Sequence, residues 1–294
     1  QSTSSATFRY SLETIDGKFP SFPAIGKVYF IPVSKENLQS KDRAQEIASQ
    51  FGFDTLGNKI TDTTKEWIDP VNPLRKLRFN VATGNFLLKY DWANDQTILE
   101  NKELPNEDMT KTEADNFLMN VDLLPKELQN GKTLISYYSA SIGSMIPAPS
   151  LSSADFVRID YFRNDLDEIP LIGDRMDQSP FYLIISGIKD EKRRIVQVGH
   201  TFWDIEKDNF ATYPLRPIDE AWNDLQSGNG YIANSGQPGT NLASIRKIFF
   251  AYYYGDDPKN FLQPLYVFEG DKGFTAYVPA TDKKWLKASR PLSQ

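Results

Sequence analysis

The feature that most constrains this chain is the order in which two hydrophobic periodicities recur: a short helical stripe, then runs that alternate. In "SKDRAQEIASQFGF", Ala44, Ile47, Ala48 and Phe51 repeat at three- and four-residue spacing. That spacing predicts a helix, with Ser40 as its N-cap and Gly52 closing it. "NKITDTTKEWI" is strand-like, and "RKLRFNVATGNFLLKYDW" predicts a hairpin. Leu77, Phe79 and Val81 share one face opposite Lys76, Arg78 and Asn80, and Phe86, Leu88 and Tyr90 repeat the alternation after Thr83-Gly84 turns the chain.

The pattern returns twice. In "TKTEADNFLMNVDLLP", Thr110 and Glu113 have capping-box spacing ahead of Ala114, Phe117, Leu118 and Val121. Strand-like runs follow at 133–140, 156–162, 181–186 and 195–202, broken by the Pro/Gly/Asp loop "LDEIPLIGDRMDQSP". A third helix over "RPIDEAWNDLQSG" has Pro217 in its first turn, Ile218, Ala221, Trp222 and Leu225 on one stripe, and Gly228 at its end. Strands at 245–254, 261–268 and 274–278 come next, separated by "GDDPKN" and "GDKG", and an edge strand is expected at 27–33. The expectation is an α+β fold of repeated helix-plus-three-strand antiparallel units, with helices packed on antiparallel sheets. The expected domains are 1–105, an edge strand and the first unit; 106–213, a central helix and a β-rich unit with an insertion; and 214–294, the last unit.

Composition bounds the function. With 294 residues, 40 % apolar and 24 % charged, the chain folds around a substantial core. Net charge is −6 with both signs interspersed, so no basic stripe exists for a nucleic acid backbone. The basic cluster "KDEKRRI" reads as a hairpin turn. The absence of cysteine excludes disulfides, thiolate metal sites and cysteine nucleophiles. No apolar run approaches the ~20 residues of a spanning helix. "QSTSSATFRYSL" lacks an initiator Met and is small and polar, which predicts the stub left by removal of a signal or anchor. The expected location is extracytoplasmic, at the cell surface, tethered through an N-terminal anchor absent from this chain, against the alternative of a trimmed cytosolic protein.

Candidate chemistry is sparse. His200 is the only histidine, so the usual Ser-His-Asp and two-His zinc arrangements cannot be built. Asp165, Asp167, Asp174 and Asp177 could gather oxygens around Ca²⁺, against the alternative of a solvated acidic loop without the D-x-D-x-D-G spacing. "SGNGYIANSGQPGTN" lacks the spacing and Lys of a phosphate loop, and "YSASIGSMIPAPSLSSADF" has serines without G-x-S-x-G. No catalytic set emerges, so a non-enzymatic chain is expected, with no cofactor beyond the Ca²⁺ candidate. The run Tyr252–Tyr254 fits a central strand under a helix. The other reading is an exposed aromatic binding face, with Tyr252, Tyr254 and Tyr266, and with Trp222 and Tyr231 beside a groove loop.

"IDEAWNDLQSGNGYI", "IRKIFFAYYY" and "LQPLYVFEGDKGFTAYVPA" together resemble the C-terminal unit of YycH/YycI-type extracytoplasmic regulators and, more broadly, PepSY-type domains. "DRAQEIASQFGF" with "FNVATGNFLLKY" is similar to the same PepSY pattern. "PAPSLSSADFVRIDYFR" and "ATYPLRPIDEAWNDLQSGNGYI" resemble segments of uncharacterised, N-terminally anchored surface proteins of candidate-phylum bacteria. The resemblance implies an envelope-side domain that binds or restrains another protein. The departure is the insertion at 155–210, which a minimal PepSY domain lacks. The expected function is therefore engagement of a protein or peptide partner at sheet edges or helix–sheet grooves. A structural or adhesive surface component and a calcium-dependent hydrolase are the alternatives.

Overall fold

The computed structural model describes residues 8–32, 37–100, 102–236, 241–255, 260–282 and 284. The small-polar start (1–7) and the acidic turn at 256–259 lie outside the described residues. The chain begins with β1 (Arg9–Leu12), β2 (Ile25–Phe30) and helix α1 (Leu38–Gln50). Then come β3 (Asn58–Lys59), β4 (Thr64–Ile68), β5 (Arg75–Asn80) and β6 (Phe86–Tyr90). Helices α2 (Glu107–Asn120) and α3 (Lys126–Gln129) precede β7 (Thr133–Ser141), β8 (Ser144–Pro147) and β9 (Phe156–Tyr161). They are followed by β10 (Leu171–Ile172), β11 (Phe181–Ser186), α4 (Glu191–Arg194), β12 (Ile195–His200) and β13 (Phe210–Pro214). The last described elements are α5 (Ile218–Gln226), β14 (Tyr231–Asn234), β15 (Leu242–Tyr253), β16 (Phe261–Leu262), β17 (Pro264–Gly270) and β18 (Thr275–Pro279).

Helix followed by antiparallel strands thus occurs three times, with α1, α2 and α5, as the periodicities predict. The chain groups into two compact units: Gln1–Pro32 with Asp165–Asp177 and Asp204–Gln294, and Val33–Asn164 with Gln178–Trp203. The boundaries expected at 105 and 213 run through these units rather than between them. The reason is long-range pairing, β6 with β12 in one unit and β1 with β15 in the other.

The unit containing α1 and α2 is a nine-stranded sheet in the order β3-β4-β5-β6-β12-β11-β9-β7-β8. Its neighbours are antiparallel, and the strands after α1 meet those after α2 where Phe86 pairs with His200. Ala44, Ile47 and Ala48 of α1 and Ala114 and Leu118 of α2 share one core with Trp67, Leu77, Phe79, Leu88, Ile159, Leu183 and Val198 of the sheet. Period-2 alternation puts these sheet residues on one side and their sequence neighbours on the other.

Both helix starts lie upstream of the expected caps. Asn37 caps α1, accepting from the Ser40 amide at 2.8 Å while the Ser40 hydroxyl takes the Asn37 amide at 3.0 Å. Ser40 is therefore the third residue of a capping box and not the N-cap. Asn106 caps α2 through the Met109 amide at 2.9 Å, and Glu107 and Asp108 then occupy the first turn, where the helix dipole favours acids. Thr110 lies buried inside the helix, donating to the Asn106 carbonyl at 2.7 Å, and Glu113 pairs with Arg194 at 2.6 and 2.7 Å.

On the opposite sheet face, a charged pair is buried in a stack. The Arg158 guanidinium lies 3.6 Å from the Tyr182 ring centroid and donates to both Asp160 oxygens, at 2.8 and 2.6 Å. Asp160 also accepts the Ser179 amide at 2.7 Å, and Gln197 donates to the Tyr182 hydroxyl. Tyr182 lies across Gly199, its cross-strand partner: a Cβ there would come within 2.2 Å of the ring.

The β7–β8 hairpin turns on Ile142 and Gly143, at φ 43° and 74°. A turn with two positive φ values suits Asn-Gly, and a β-branched residue at its first position is strained. Ile142 is 103 % exposed, so it buries nothing to offset this. Ile142→Asn is therefore expected to raise stability by about 0.5–1 kcal/mol, read as a higher urea midpoint. An unchanged or lower midpoint would contradict the strain.

The other unit has a six-stranded sheet, β1-β15-β17-β18-β14, with β10 also on β15, and a three-stranded sheet, β13-β2-β16. β1 and β10 run parallel to β15, and β15-β17-β18-β14 is antiparallel. The expected strand over 261–268 divides between the two sheets: β16 pairs with β2, and β17 with β15 and β18. Ala221 and Leu225 of α5 pack on Ile245, Tyr266, Phe268, Ala276 and Val278. Among the described residues no helix is long and apolar enough to cross a membrane.

Candidate functional site

The aromatic strand β15 faces two ways. Tyr252 and Tyr266 are buried on the α5 side of the six-stranded sheet, and Tyr254 is buried just past the end of β15. The Tyr252 hydroxyl donates to the Lys27 carbonyl at 3.0 Å and that of Tyr266 to the Arg216 carbonyl at 2.8 Å, while the Tyr254 amide donates to the Ile172 carbonyl at 2.7 Å. Trp222 of α5 is wedged among Tyr10, Phe19 and Phe268, with ring centroids 5.8–6.1 Å away. These four residues do not form an exposed aromatic face. The alternation of Tyr252 and Tyr266 is that of a helix-covered surface, and their hydroxyls are satisfied by backbone carbonyls.

The acidic segment also divides. Asp167, on a tight turn closed by the Leu166–Ile169 bridge, accepts from Lys27 Nζ and from the Tyr29 hydroxyl, each at 2.5 Å. Hydrogen bonds from Lys27 and Tyr29 hold its carboxyl below the usual carboxylate range. Asp165 is exposed. Asp174 and Asp177 go elsewhere. Among the described residues no three carboxylate or imidazole groups converge to hold a metal. As a single Ca²⁺ cage, the four aspartates are therefore not brought together.

What the structure does bring together is Asp174, Asp177 and Tyr231, on the sheet face opposite α5. The buried residues there are Ile172, Ala251, Leu265, Val267 and Tyr277, with Met176, Ala233, Phe249 and Tyr253 packed against them. Among the described residues no helix residue belongs to this cluster. Alternation along β15 places Tyr253 here, out of phase with Tyr252. Its hydroxyl donates to Asp174, and its ring tip lies so near Gly255 that a Cβ there would meet the hydroxyl at 2.4 Å. Arg175 donates to both Asp177 oxygens at 2.9 and 2.7 Å. Tyr231, on edge strand β14, is 37 % exposed and its ring centroid is 5.9 Å from that of Tyr277.

Tyr277 is the unusual member. It is 1 % exposed, and among the described residues its hydroxyl has no hydrogen-bond partner. Burial first, then Tyr231, Asp174 and Asp177, push its ionisation well above the ordinary phenol value, with Arg175 opposing. The hydroxyl therefore stays neutral. Sequence reasoning missed both Tyr253 and Tyr277. The usable signal was phase: Tyr253 lies between Tyr252 and Tyr254 and must point to the other face.

His200 lies in the other unit. Its ring stacks on Phe86 with centroids 4.6 Å apart and packs at 4.8 Å from Phe181. Nε2 is 3.2 Å from the Leu123 carbonyl, which assigns it the proton, and Nδ1 is buried without a partner among the described residues. Burial lowers its pKa to about 4. This is the environment of a packing histidine.

These features define an α+β protein with few helices and extensive antiparallel sheets. Among solved structures it is similar to an uncharacterized protein from Eubacterium rectale ATCC 33656, with a TM-score of 0.48 and 11 % identity, covering 92 % of this chain and 86 % of that one. It is also similar to the Bacillus megaterium YpeB C-terminal domain, with a TM-score of 0.36 and 11 % identity over 84 % of this chain and 95 % of that one. No family model matches the chain, and no curated protein matches it.

Proposed function

We propose that this chain is a non-enzymatic, extracytoplasmic regulatory domain that binds a protein or peptide partner through the face bearing Tyr231, Tyr253 and Tyr277. The observation that carries this reading is an apolar sheet face with no helix in its cluster among the described residues, bordered by an exposed tyrosine on an edge strand. An edge strand offers backbone groups for an added strand, and the neighbouring side chains supply selectivity. The resemblance to PepSY- and YycI-type units in the sequence supports the compartment. The non-enzymatic reading is supported by the engagement of the polar groups. His200 is enclosed by two phenylalanine rings, and Asp167, Asp174 and Asp177 each serve a tyrosine, lysine or arginine of the chain itself.

The test is a photo-crosslinking amino acid at position 231 of the full protein in its native cells, with position 119, an exposed methionine on α2, as control. A discrete protein adduct in the envelope fraction from 231 and not from 119 is expected. No adduct from 231, or the same adducts from both positions, would overturn the reading.

A further inference from the structure

We infer that this face receives a cationic side chain, lysine or arginine, from its partner. The inference rests on the binding reading above and names the chemistry that the site selects. Three observations converge on it.

The first is the Tyr277 hydroxyl, which is fully buried and has no partner among the described residues. A buried hydroxyl without a hydrogen bond is disfavoured, and most such groups in folded proteins have a partner. Replacing Tyr277 by Phe would keep the ring in the core and remove the problem. The hydroxyl is therefore a feature that packing alone does not require.

The second is local charge. Asp177 is matched by the bidentate Arg175. Asp174 is held by the neutral hydroxyl of Tyr253, and among the described residues no cation pairs with it. One carboxylate charge beside the tyrosines is thus left without a counter-cation, which repels an anionic ligand and attracts a positive one. The influence of Asp174 on both Tyr231 and Tyr277 places all three within one electrostatic neighbourhood.

The third is the ring of Tyr231. It is exposed at the border of the apolar cluster and packs beside Tyr277. An aromatic face attracts an ammonium or guanidinium group through its quadrupole. A lysine or arginine head can therefore lie on the Tyr231 ring and donate to Asp174, and it donates a further N–H to the Tyr277 oxygen once the side chains that cover that oxygen move aside. Ammonium and guanidinium groups have N–H donors to spare for this, whereas an aliphatic side chain has none. A free acid would be repelled by Asp174, and a neutral amide could donate to it but would gain less from its charge than a cation does.

The test uses the purified chain, with its tyrosine rings isotope-labelled, titrated by NMR with Nα-acetyl-lysine methylamide and with its uncharged isostere, Nα-acetyl-norleucine methylamide. Saturable shifts at the Tyr231 and Tyr277 resonances with the lysine compound, and none with norleucine, are expected. Asp174→Asn and Tyr277→Phe should each weaken lysine binding roughly tenfold, as expected for loss of a charge-assisted hydrogen bond. Tyr277→Phe should also unfold at a urea concentration no lower than the parent, because the hydroxyl it removes has no partner to lose. Asp174 is exposed, so its variant keeps the test decisive even if Tyr277→Phe does not fold.

Equal binding of norleucine, no shifts with lysine, or undiminished lysine binding in Asp174→Asn would each overturn the inference. An adduct from position 231 in cells together with silent lysine titrations would leave the partner interface standing and remove only its cationic chemistry. Lysine shifts without an adduct would do the reverse.

Discussion

Replacing Asp160 with Asn is expected to lower the unfolding free energy of the nine-stranded unit by about 3–5 kcal/mol, the usual loss when one partner of a buried ion pair is removed. Asp160 is fully buried and accepts from Arg158 Nε and Nη2 and from the Ser179 amide. Asn retains an acceptor for Ser179 but leaves the Arg158 guanidinium buried without its counter-charge, stacked on a neutral ring. The loss should be rescued by a second change. Arg158→Met in the Asp160→Asn background removes the orphaned cation, fills similar volume against Tyr182, and should recover most of the stability. Urea unfolding followed by far-UV circular dichroism measures both variants. A single-variant loss below about 1 kcal/mol, the range of an exposed pair, would refute the assignment of this pair as a buried structural element.

Acidification from pH 7 to pH 4.5 is expected to cost the same unit at most about 2.5 kcal/mol through His200 alone. The sign follows from the direction of the shift. Burial between Phe86 and Phe181 lowers the folded pKa to about 4, while the unfolded chain titrates near the model-peptide value of about 6.5. Between those values the unfolded state binds the extra proton. The contribution is therefore fully present above the unfolded value and is lost as the pH falls toward the folded one. His200→Gln keeps a nitrogen donor for the Leu123 carbonyl and cannot titrate. Its stability should be flatter over this window by the same amount, whereas the loss of carboxylate hydrogen bonds at Asp69 and Asp95, whose pKa values are lowered, belongs at lower pH. Parallel pH profiles for the two proteins would exclude His200 as the source.

Some of this organisation was readable in the residues. Ala44, Ile47 and Ala48 announce one buried helix face, and Leu77 with Phe79 announces a sheet face, because each periodicity is produced by backbone geometry within a few residues. Residue type places the helix starts too far along the chain. Asn37 and Ser40 are both good capping residues three positions apart, and a capping box uses both, so residue type does not say which is the cap. The candidate site was half legible. Residue type points to Tyr231, Asp174 and Asp177, yet as members of two unrelated sites, and does not single out Tyr253 or Tyr277. Alternation says that Tyr252 and Tyr253 point to opposite faces but not which face carries the helix. Likewise, the Arg158-x-Asp160 spacing puts both side chains on one face, but their burial depends on Tyr182 and on the missing side chain at Gly199.

By itself the sequence determined the succession of helices and strands, the apolar side of each, and the absence of the histidine and cysteine sets that common hydrolytic centres require. Only the tertiary structure decided that β6 joins β12, that β1 and β10 lie parallel along β15, and which tyrosines are covered. The physical reason is range. Helical and strand periodicity is set by dihedral angles and neighbours close in the chain, whereas edge pairing and burial are settled by competition among distant segments for the same hydrogen bonds and the same apolar surface.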